Sequence, residues 1–270
     1  MKNSKKIALV TGASSGIGLA TAKRLVEEGY QVFGTSRQGK SVSNSGIQML
    51  SLDVTDDASV KAVITEIIAR EGRLDLLVNN AGFNLSVGGA EESSIQQAKD
   101  LFETNFFGTV RMSLEAIPHM RQQGSGRIIN IGSVLGFMPM PYMALYTATK
   151  HAIAGYSESL DNEVRSMGIR VSVIEPAFMK TSIEANARDV DRKLDAYLDK
   201  RLAMEKRLHE MLEAAEDPSA VANTVVRVAK ASNPKARYTS GRDANRLRWM
   251  NTLLPHALLN AAIRKHLRLA

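Results

Sequence analysis

Short apolar runs alternate along the chain with stretches whose apolar residues recur every three or four positions. The runs fall at residues 7–10, 31–35, 48–52, 74–78, 128–131 and 170–175, and each reads as a strand. Between them lie helical patterns. Leu19, Ala22, Leu25 and Val26 mark the first. Thr55 or Asp56 can cap a second, running to about residue 70. Ser93 and Gln96 have the spacing of a capping box for a long helix through Asn105 to about residue 122. A fourth covers about residues 145–167. The strand runs are nearly continuous in apolar residues, as strands buried on both faces are. Alternation with helices predicts an α/β fold, a doubly wound parallel sheet in a three-layer Rossmann-like sandwich with right-handed crossovers. Ligands of such sheets bind beyond the carboxyl ends of the strands.

Past Pro176 the pattern changes. Residues 177–187 show no period and are expected to form a mobile loop; residues 189–215 read as one charged amphipathic helix. Together, 177–215 are expected to act as a substrate loop and lid. Asp217-Pro218 opens a further helix with an N-cap and a proline in its first turn. Residues 237–240 suit a last short strand, and 241–270 a tail of two short helices broken at Pro255. No repeat, low-complexity tract or linker interrupts the sequence, so 1–270 is read as a single catalytic domain.

The 270 residues are 44% hydrophobic, enough for one such domain with a large core. There are no cysteines, which excludes disulfides and thiolate metal sites. The apolar run after Lys5-Lys6 is too short for a signal peptide, and no stretch approaches the roughly 20 apolar residues of a membrane span. A cytoplasmic location is expected. The net charge of +7 is unevenly placed: residues 1–191 hold 19 Lys and Arg against 20 Asp and Glu, and residues 192–270 hold 16 against 8. The basic C-terminal third suits a solvated helical face, an acidic partner or an anionic membrane surface. It has only three aromatics, Tyr197, Tyr238 and Trp249, and nothing resembles a nucleic-acid module. The five histidines lack metal-ligand spacing, so no metal is expected.

The first strand runs into Thr11-Gly12-Ala13-Ser14-Ser15-Gly16-Ile17-Gly18, and a helix follows. Glycines there allow a tight bend, a close approach of phosphate to backbone, and a helix packed hard against its strand. The amides at the helix start, with its dipole behind them, suit a pyrophosphate. The spacing is Gly-x-x-x-Gly-x-Gly, not the common Gly-x-Gly-x-x-Gly. Gly12, Arg37, Asp53, Asn79 and Ser133 all fall at carboxyl ends of predicted strands, on one rim. The second strand ends in Ser36-Arg37, where a carboxylate would accept hydrogen bonds from the ribose of NAD. An arginine instead suits a 2′-phosphate, so NADP(H) is the expected cofactor. Tyr146 and Lys150 lie four apart on one helix face. A free phenol loses its proton near pH 10, and a neighbouring ammonium lowers that value. Tyr146 is thereby suited to exchange a proton with a substrate oxygen that Ser133 also holds.

Taken in order, Thr11-Gly12-x-x-x-Gly16-x-Gly18, Asn79-Asn80-Ala81-Gly82, Asn105, Ser133, Tyr146-x-x-x-Lys150 and Pro176 with Thr181 resemble the short-chain dehydrogenase/reductase family over nearly the whole chain. The resemblance implies that Tyr146 is the catalytic acid/base, that Ser133 orients the substrate oxygen, and that Lys150 binds the nicotinamide ribose as well as tuning Tyr146. It implies that Asn105 holds a water in a proton relay behind Lys150. The cofactor surface it implies comprises Gly12, Ser14, Ser15, Gly16, Ile17 and Gly18 at the turn, with Ser36 and Arg37. Asp53 and Val54 would lie at the adenine, Asn79, Ala81 and Gly82 along the adenine-side ribose, and Pro176 and Thr181 over the nicotinamide. Many relatives have Pro-Gly where this chain has Pro176-Ala177, which shifts the expected loop. The branch resembled is that of 17β-hydroxysteroid and retinol dehydrogenases, with 3-oxoacyl-acyl-carrier-protein reductases the alternative. A non-catalytic dinucleotide sensor is a remote alternative, since such proteins usually lose the tyrosine or the lysine.

The segment between Ser133 and Tyr146 is uncharged and rich in methionine, which adapts to irregular apolar ligands. Leu135, Phe137, Met140 and Met143, with Phe178, Met179 and Ile183 opposite, are the candidate substrate wall. They point to a bulky hydrophobic carbonyl compound such as a steroid, a retinoid or a long acyl chain, the last presented on a carrier protein. A homodimer is expected through the helices of Asn105 and Tyr146, with the apolar tail around Trp249, Leu253 and Leu254 covering a further interface.

Overall fold

Alternating apolar runs and helical periods become one parallel sheet with helices on both faces. The computed structural model describes residues 5–40, 42, 43, 45–181 and 187–269. Its strands are β1 (Ile7–Val10), β2 (Gln31–Ser36), β3 (Ile47–Ser51), β4 (Leu76–Asn79), β5 (Gly126–Ile131), β6 (Ile169–Pro176) and β7 (Arg237–Ser240). They lie in the order β3-β2-β1-β4-β5-β6-β7. Every pairing is parallel. The helices are α1 (Gly16–Glu27), α2 (Asp57–Glu71), α3 (Ile95–Phe102), α4 (Gly108–Gln123), α5 (Ala144–Val164), α6 (Leu198–Glu213), α7 (Ser219–Lys230), α8 (Arg242–Leu253) and α9 (His256–His266).

Period-two alternation divides the core. Ile7 and Leu9 of β1 pack with residues of α2, α4 and α5 on one face, while Ala8 and Val10 pack with α1 and α7 on the other. A third cluster lies under the C-terminal helices: Val134, Met140 and Met143 meet Met204 and Leu208 of α6, Ala244 of α8 and Leu267. A buried polar chain crosses the middle of the sheet. The Asn79 amide donates to Asn130 Oδ1 at 2.9 Å and to Ser113 Oγ at 3.2 Å, and the Asn130 amide donates to Ser157 Oγ at 2.9 Å. It fixes α4 and α5 to neighbouring strands β4 and β5, since an unpartnered buried amide is costly.

The predicted strands and their order of alternation with helices are found, and the fold is α/β with C-terminal helices. Two helices differ from expectation. The long one predicted through Asn105 begins a residue later, because Ser94 rather than Ser93 accepts from the Gln97 amide at 3.1 Å. Gln96 instead donates to Asp100 at 2.8 Å. The helix is then interrupted by a π-helical turn over Glu103–Phe107, centred on Asn105. The charged helix expected from residue 189 starts only at Leu198, after a 3₁₀ turn over Asp195–Tyr197. The amides before it are bound elsewhere: Arg188 N–H donates to the Asn84 carbonyl at 3.0 Å and Arg192 N–H to the Glu92 carbonyl at 2.9 Å. Leu194 N–H donates to the Glu92 carboxylate at 2.7 Å, as does Gly89 N–H. Buried Glu92 also pairs with buried Arg201 of α6, so the segment between β4 and α3 is tied to α6. Burial raises the Glu92 pKa, but these donors outweigh it and hold the carboxyl below its usual range. Ile183 lies outside the described residues.

Gly18 is the tightest point of the β1–α1 turn. A Cβ there would stand 2.2 Å from the Gly12 carbonyl oxygen and 2.8 Å from its carbon. Backbone, not a flexible side chain, would have to yield. Gly18→Ala should lower unfolding free energy in urea by about 1–3 kcal/mol, the usual range for overpacking. A loss within about 0.5 kcal/mol, that of an ordinary surface change, would show that the turn can move aside.

Candidate active site

A cleft of about 790 Å³ opens along the carboxyl ends of the strands. That is within the range of small-molecule sites, roughly 300–1,000 Å³. Its floor is the turn from β1 to α1. Gly12 (φ +65°) and Gly16 (φ +54°) adopt left-handed backbone that other residues resist. Thr11 Oγ1 accepts from the amides of Asn80 (2.9 Å) and Ala81 (3.0 Å). In return the Asn80 side chain donates to the carbonyls of Thr11 (2.9 Å) and Gly12 (3.2 Å). The turn is thus tied to the loop after β4. The N-cap of α1, Ser15, makes no side-chain capping bond, and no acidic residue lies in the first turn. Uncapped amides on the positive end of a helix dipole are a fitting seat for a pyrophosphate.

At one end of the cleft, exposed Arg37 follows Ser36, whose carbonyl accepts from Leu52 N–H at 3.0 Å. Arg37 makes no ion pair among the described residues. Across from it, Asp53 Oδ1 accepts from the backbone amide (2.9 Å) and the hydroxyl (2.7 Å) of Thr55. These bonds, with a smaller contribution from the Arg37 charge, hold the Asp53 carboxyl below its usual range.

At the other end are Ser133, Tyr146 and Lys150. Ser133, half-buried just past β5, accepts from Leu135 N–H at 3.1 Å and caps a 3₁₀ turn over Val134–Gly136. That bond uses a lone pair and leaves the hydroxyl proton available to donate. Lys150 Nζ lies 5.4 Å from the centre of the Tyr146 ring and donates to the Ile131 carbonyl at 3.1 Å. Lys150 is buried, and burial lowers its pKa to about 8. Asn105 is also buried: its Oδ1 accepts from Phe83 N–H at 3.0 Å and its amide donates to the Phe83 carbonyl at 2.9 Å. It therefore clamps the segment after β4 at the border of the cleft. A π turn at such a place is a frequent feature of functional helices.

Most of the predicted site residues border this cleft: Gly12 and Ser14 to Ile17, Ser36 and Arg37, Asp53 and Val54, Ala81 and Gly82, Asn105, Ser133, Tyr146, Lys150, Pro176 and Thr181. Four do not. Gly18 packs behind the turn. Asn79 faces the core in the Asn130 chain, and the next residue, Asn80, borders the cleft instead; strand alternation was the available signal. Of the substrate candidates, Leu135, Met143, Phe178 and Met179 line the cleft. Phe137 and Met140 do not: they belong to the cluster under the C-terminal helices, and Arg248 stacks 5.0 Å from the Phe137 ring centre. Sequence reasoning missed Arg188, held 4.2 Å over the Phe83 ring, and Leu212 of α6, both bordering the cleft. No motif marks either; only the folding-over of 187–212 brings them there. Among the described residues no group of three or more His, Cys, Asp or Glu could hold a metal ion.

A family model described as short chain dehydrogenase matches residues 6–192. The chain is similar to 3-ketodihydrosphingosine reductase of Bacteroides thetaiotaomicron, with 37% identity over 240 residues, 87% of this chain and 88% of the relative. It is also similar to 3-oxoacyl-(acyl-carrier-protein) reductase FabG of Escherichia coli, with 40% identity over 201 residues, 69% of this chain and 79% of the relative. Among solved structures, ElxO with NADP bound aligns at a TM-score of 0.73 and 28% identity, covering 87% of this chain and 96% of that one.

The buried lysine gives a test by pH. Its folded pKa, about 8, lies below the ordinary 10.5. Between those values the unfolded chain binds more protons than the folded one, so the Lys150 contribution to stability rises with pH across this window and is worst below it. The full swing is about 3 kcal/mol. In the cofactor-free protein, the stability of Lys150→Met relative to the unmodified chain should therefore fall by about that amount from pH 7 to 10.5. A pH-independent difference in urea melts would mean that Lys150 titrates normally.

Proposed function

The chain belongs to the short-chain dehydrogenase/reductase family, and from that premise we propose that it transfers a hydride between NADP(H) and the carbonyl or secondary alcohol of a bulky hydrophobic compound. The observation that carries this reading is the meeting of Ser133, Tyr146 and Lys150 at one end of the cleft, against the apolar side chains of Leu135, Met143, Phe178 and Met179. The nicotinamide supplies or takes the hydride when bound. The Tyr146 hydroxyl gives its proton to the carbonyl oxygen as reduction proceeds, and takes it back in oxidation. The Ser133 hydroxyl donates a hydrogen bond to the same oxygen and steadies the charge that develops there. Lys150, protonated, favours the phenolate of Tyr146 and holds the ribose hydroxyls. Asn105, fixed on Phe83, bounds the place where a relay water would return the proton to Lys150.

The cofactor preference rests on Arg37. No carboxylate stands at the end of β2 to meet a ribose 2′-hydroxyl, while an exposed guanidinium suits a 2′-phosphate. The NADP bound to ElxO is in keeping with this. The substrate class rests on the apolar wall. Steroids and retinoids would suit it, and the similarity to a 3-ketodihydrosphingosine reductase favours a long-chain ketone within that class. A second reading, a 3-oxoacyl thioester carried on an acyl carrier protein, draws on the similarity to FabG and on the basic C-terminal third. Residues 177–215 would serve as loop and lid, since Leu212 of α6 borders the cleft. A homodimer through α4 and α5 is supported by Phe107 and Leu114, two turns apart on one face and both exposed.

Tyr146→Phe should bind NADPH normally while turnover falls by at least about 10²-fold, the usual contribution of a positioned acid. Retention of half the activity would remove Tyr146 from the role. Across a series of ketones, kcat/KM should rise with chain length, because each buried methylene is worth about 0.8 kcal/mol. A series flat for free ketones but steep for carrier-bound thioesters would select the second reading.

Arg37→Ala should erase most of a preference for NADPH over NADH. Charge-assisted hydrogen bonds contribute about 1.5–3 kcal/mol, roughly 10- to 150-fold in affinity. Equal affinities for both cofactors in the unmodified protein, measured by titration of fluorescence, would refute the assignment.

A further inference from the structure

The corner between α8 and α9 is apolar and uncovered. Their inner faces are packed: Ala244, Leu259 and Leu267 are buried, and Leu247 and Ile263 are half-buried against the cluster that includes Met204 and Leu208. At the corner the pattern reverses. Trp249 is 67% exposed, Leu253 66%, Leu258 59% and Leu254 36%, and every residue from Thr252 to Leu258 is exposed. A contiguous apolar patch with a polar rim marks a surface that meets something.

The charge around the corner says what. Residues 241–270 hold six Lys and Arg against one Asp. On α8, Arg242 and Arg246 continue the three- and four-residue stripe of Trp249 and Leu253 away from the corner; on α9, Lys265 lies two turns past Leu258 with Arg264 next to it, and Arg268 follows the helix end. Arg246, Arg264 and Lys265 make no ion pair among the described residues. An apolar tip with basic side chains receding along both helices, and a tryptophan at the boundary, is the arrangement of helices that lie in a membrane interface. A second copy seated on this patch by a two-fold axis would bring the same cations against one another. No helix among the described residues is long and apolar enough to cross a membrane, so the contact is peripheral.

We propose that the α8–α9 corner docks on an anionic lipid surface, with Trp249, Leu253, Leu254 and Leu258 entering the boundary between headgroups and acyl chains and Arg246, Arg264 and Lys265 meeting lipid phosphates. This adds a surface to the catalytic reading and does not depend on it.

Trp249 is the single tryptophan of the chain, so its fluorescence reports on this corner alone. Vesicles of mixed phosphatidylglycerol and phosphatidylcholine should shift the emission of the full chain to shorter wavelength and carry it into the pellet; phosphatidylcholine alone should do so weakly. Leu253→Asp with Leu258→Asp should abolish pelleting while circular dichroism and NADPH binding stay unchanged, both residues being exposed. Arg264→Glu with Lys265→Glu should weaken binding to the anionic vesicles by more than about 10-fold, at about 1 kcal/mol per basic residue near such a surface. No shift and no pelleting with anionic vesicles would overturn the proposal. Pelleting unchanged in the Leu253→Asp, Leu258→Asp variant would place the contact elsewhere and overturn it too. A shift that grows with protein concentration without vesicles, together with a doubled mass, would assign the corner to a second copy.

Discussion

The site depends on one hydroxyl. Thr11 Oγ1 accepts from two successive amides, Asn80 and Ala81, at the point where the chain leaves β4, and Asn80 answers with bonds to the carbonyls of Thr11 and Gly12. Strands β1 and β4 are neighbours in the sheet, but their crossovers depart to opposite sides. Their ends must part there, and parting would leave backbone donors exposed to a cleft. The Thr11–Asn80 exchange satisfies those donors and fixes how wide the crevice opens. The glycine turn then has little freedom: Gly12 would meet Ala81 Cα at 3.0 Å if it carried a Cβ, and Gly18 would meet Gly12 itself. Glycine turn and strand end are thus one rigid piece.

The end of the cleft with Ser133, Tyr146 and Lys150 has the opposite character, because its lysine sits where a charge is costly to hold. Lys150 is buried, and burial opposes its charge while its ammonium donates to the Ile131 carbonyl. A lysine near neutrality in its titration exchanges protons readily and makes its charge sensitive to whatever binds beside it. The surrounding structure over-determines its position to sustain this. The Asn79–Asn130–Ser157 chain fixes α5 on β5, and the π turn at Asn105 braces the segment from β4. These polar contacts stabilise geometry at the site while the two hydrophobic faces supply the bulk of the stability.

What the sequence made legible was whatever is local or periodic. The strands, the helices and the motifs at strand ends are short-range patterns, and each falls on the same rim of the sheet. What it hid was set by partners distant along the chain. Residues 189–194 carry a helical composition, yet their amides are taken by Glu92 and by residues 84–97, nearly a hundred positions earlier. Ser94 replaced Ser93 as the cap, a slip of one residue that no propensity resolves. Phe137 and Met140 look the same as Leu135 and Met143 in sequence, and all four join the cluster with α6 and α8; only Leu135 and Met143 also border the cleft. Arg188 and Leu212 reach the cleft for the same long-range reason.

Helix α6 joins these two halves of the molecule. One of its residues, Leu212, borders the cleft, while Met204 and Leu208 support the cluster beneath α8 and α9. At its start Arg201 is paired with Glu92, buried in the segment that also runs to the cleft through Phe83. A buried pair of this kind adds little net stability against an apolar substitute, but breaking it strands a charge, so it specifies where the helix lies. The position of Leu212 at the cleft is therefore set by an ion pair at one end of α6 and by packing under the C-terminal helices along the rest. Met204, Leu208 and Leu212 of this helix all pack on the cluster beneath the α8–α9 corner. That corner and the apolar side of the cleft thus share one element, α6.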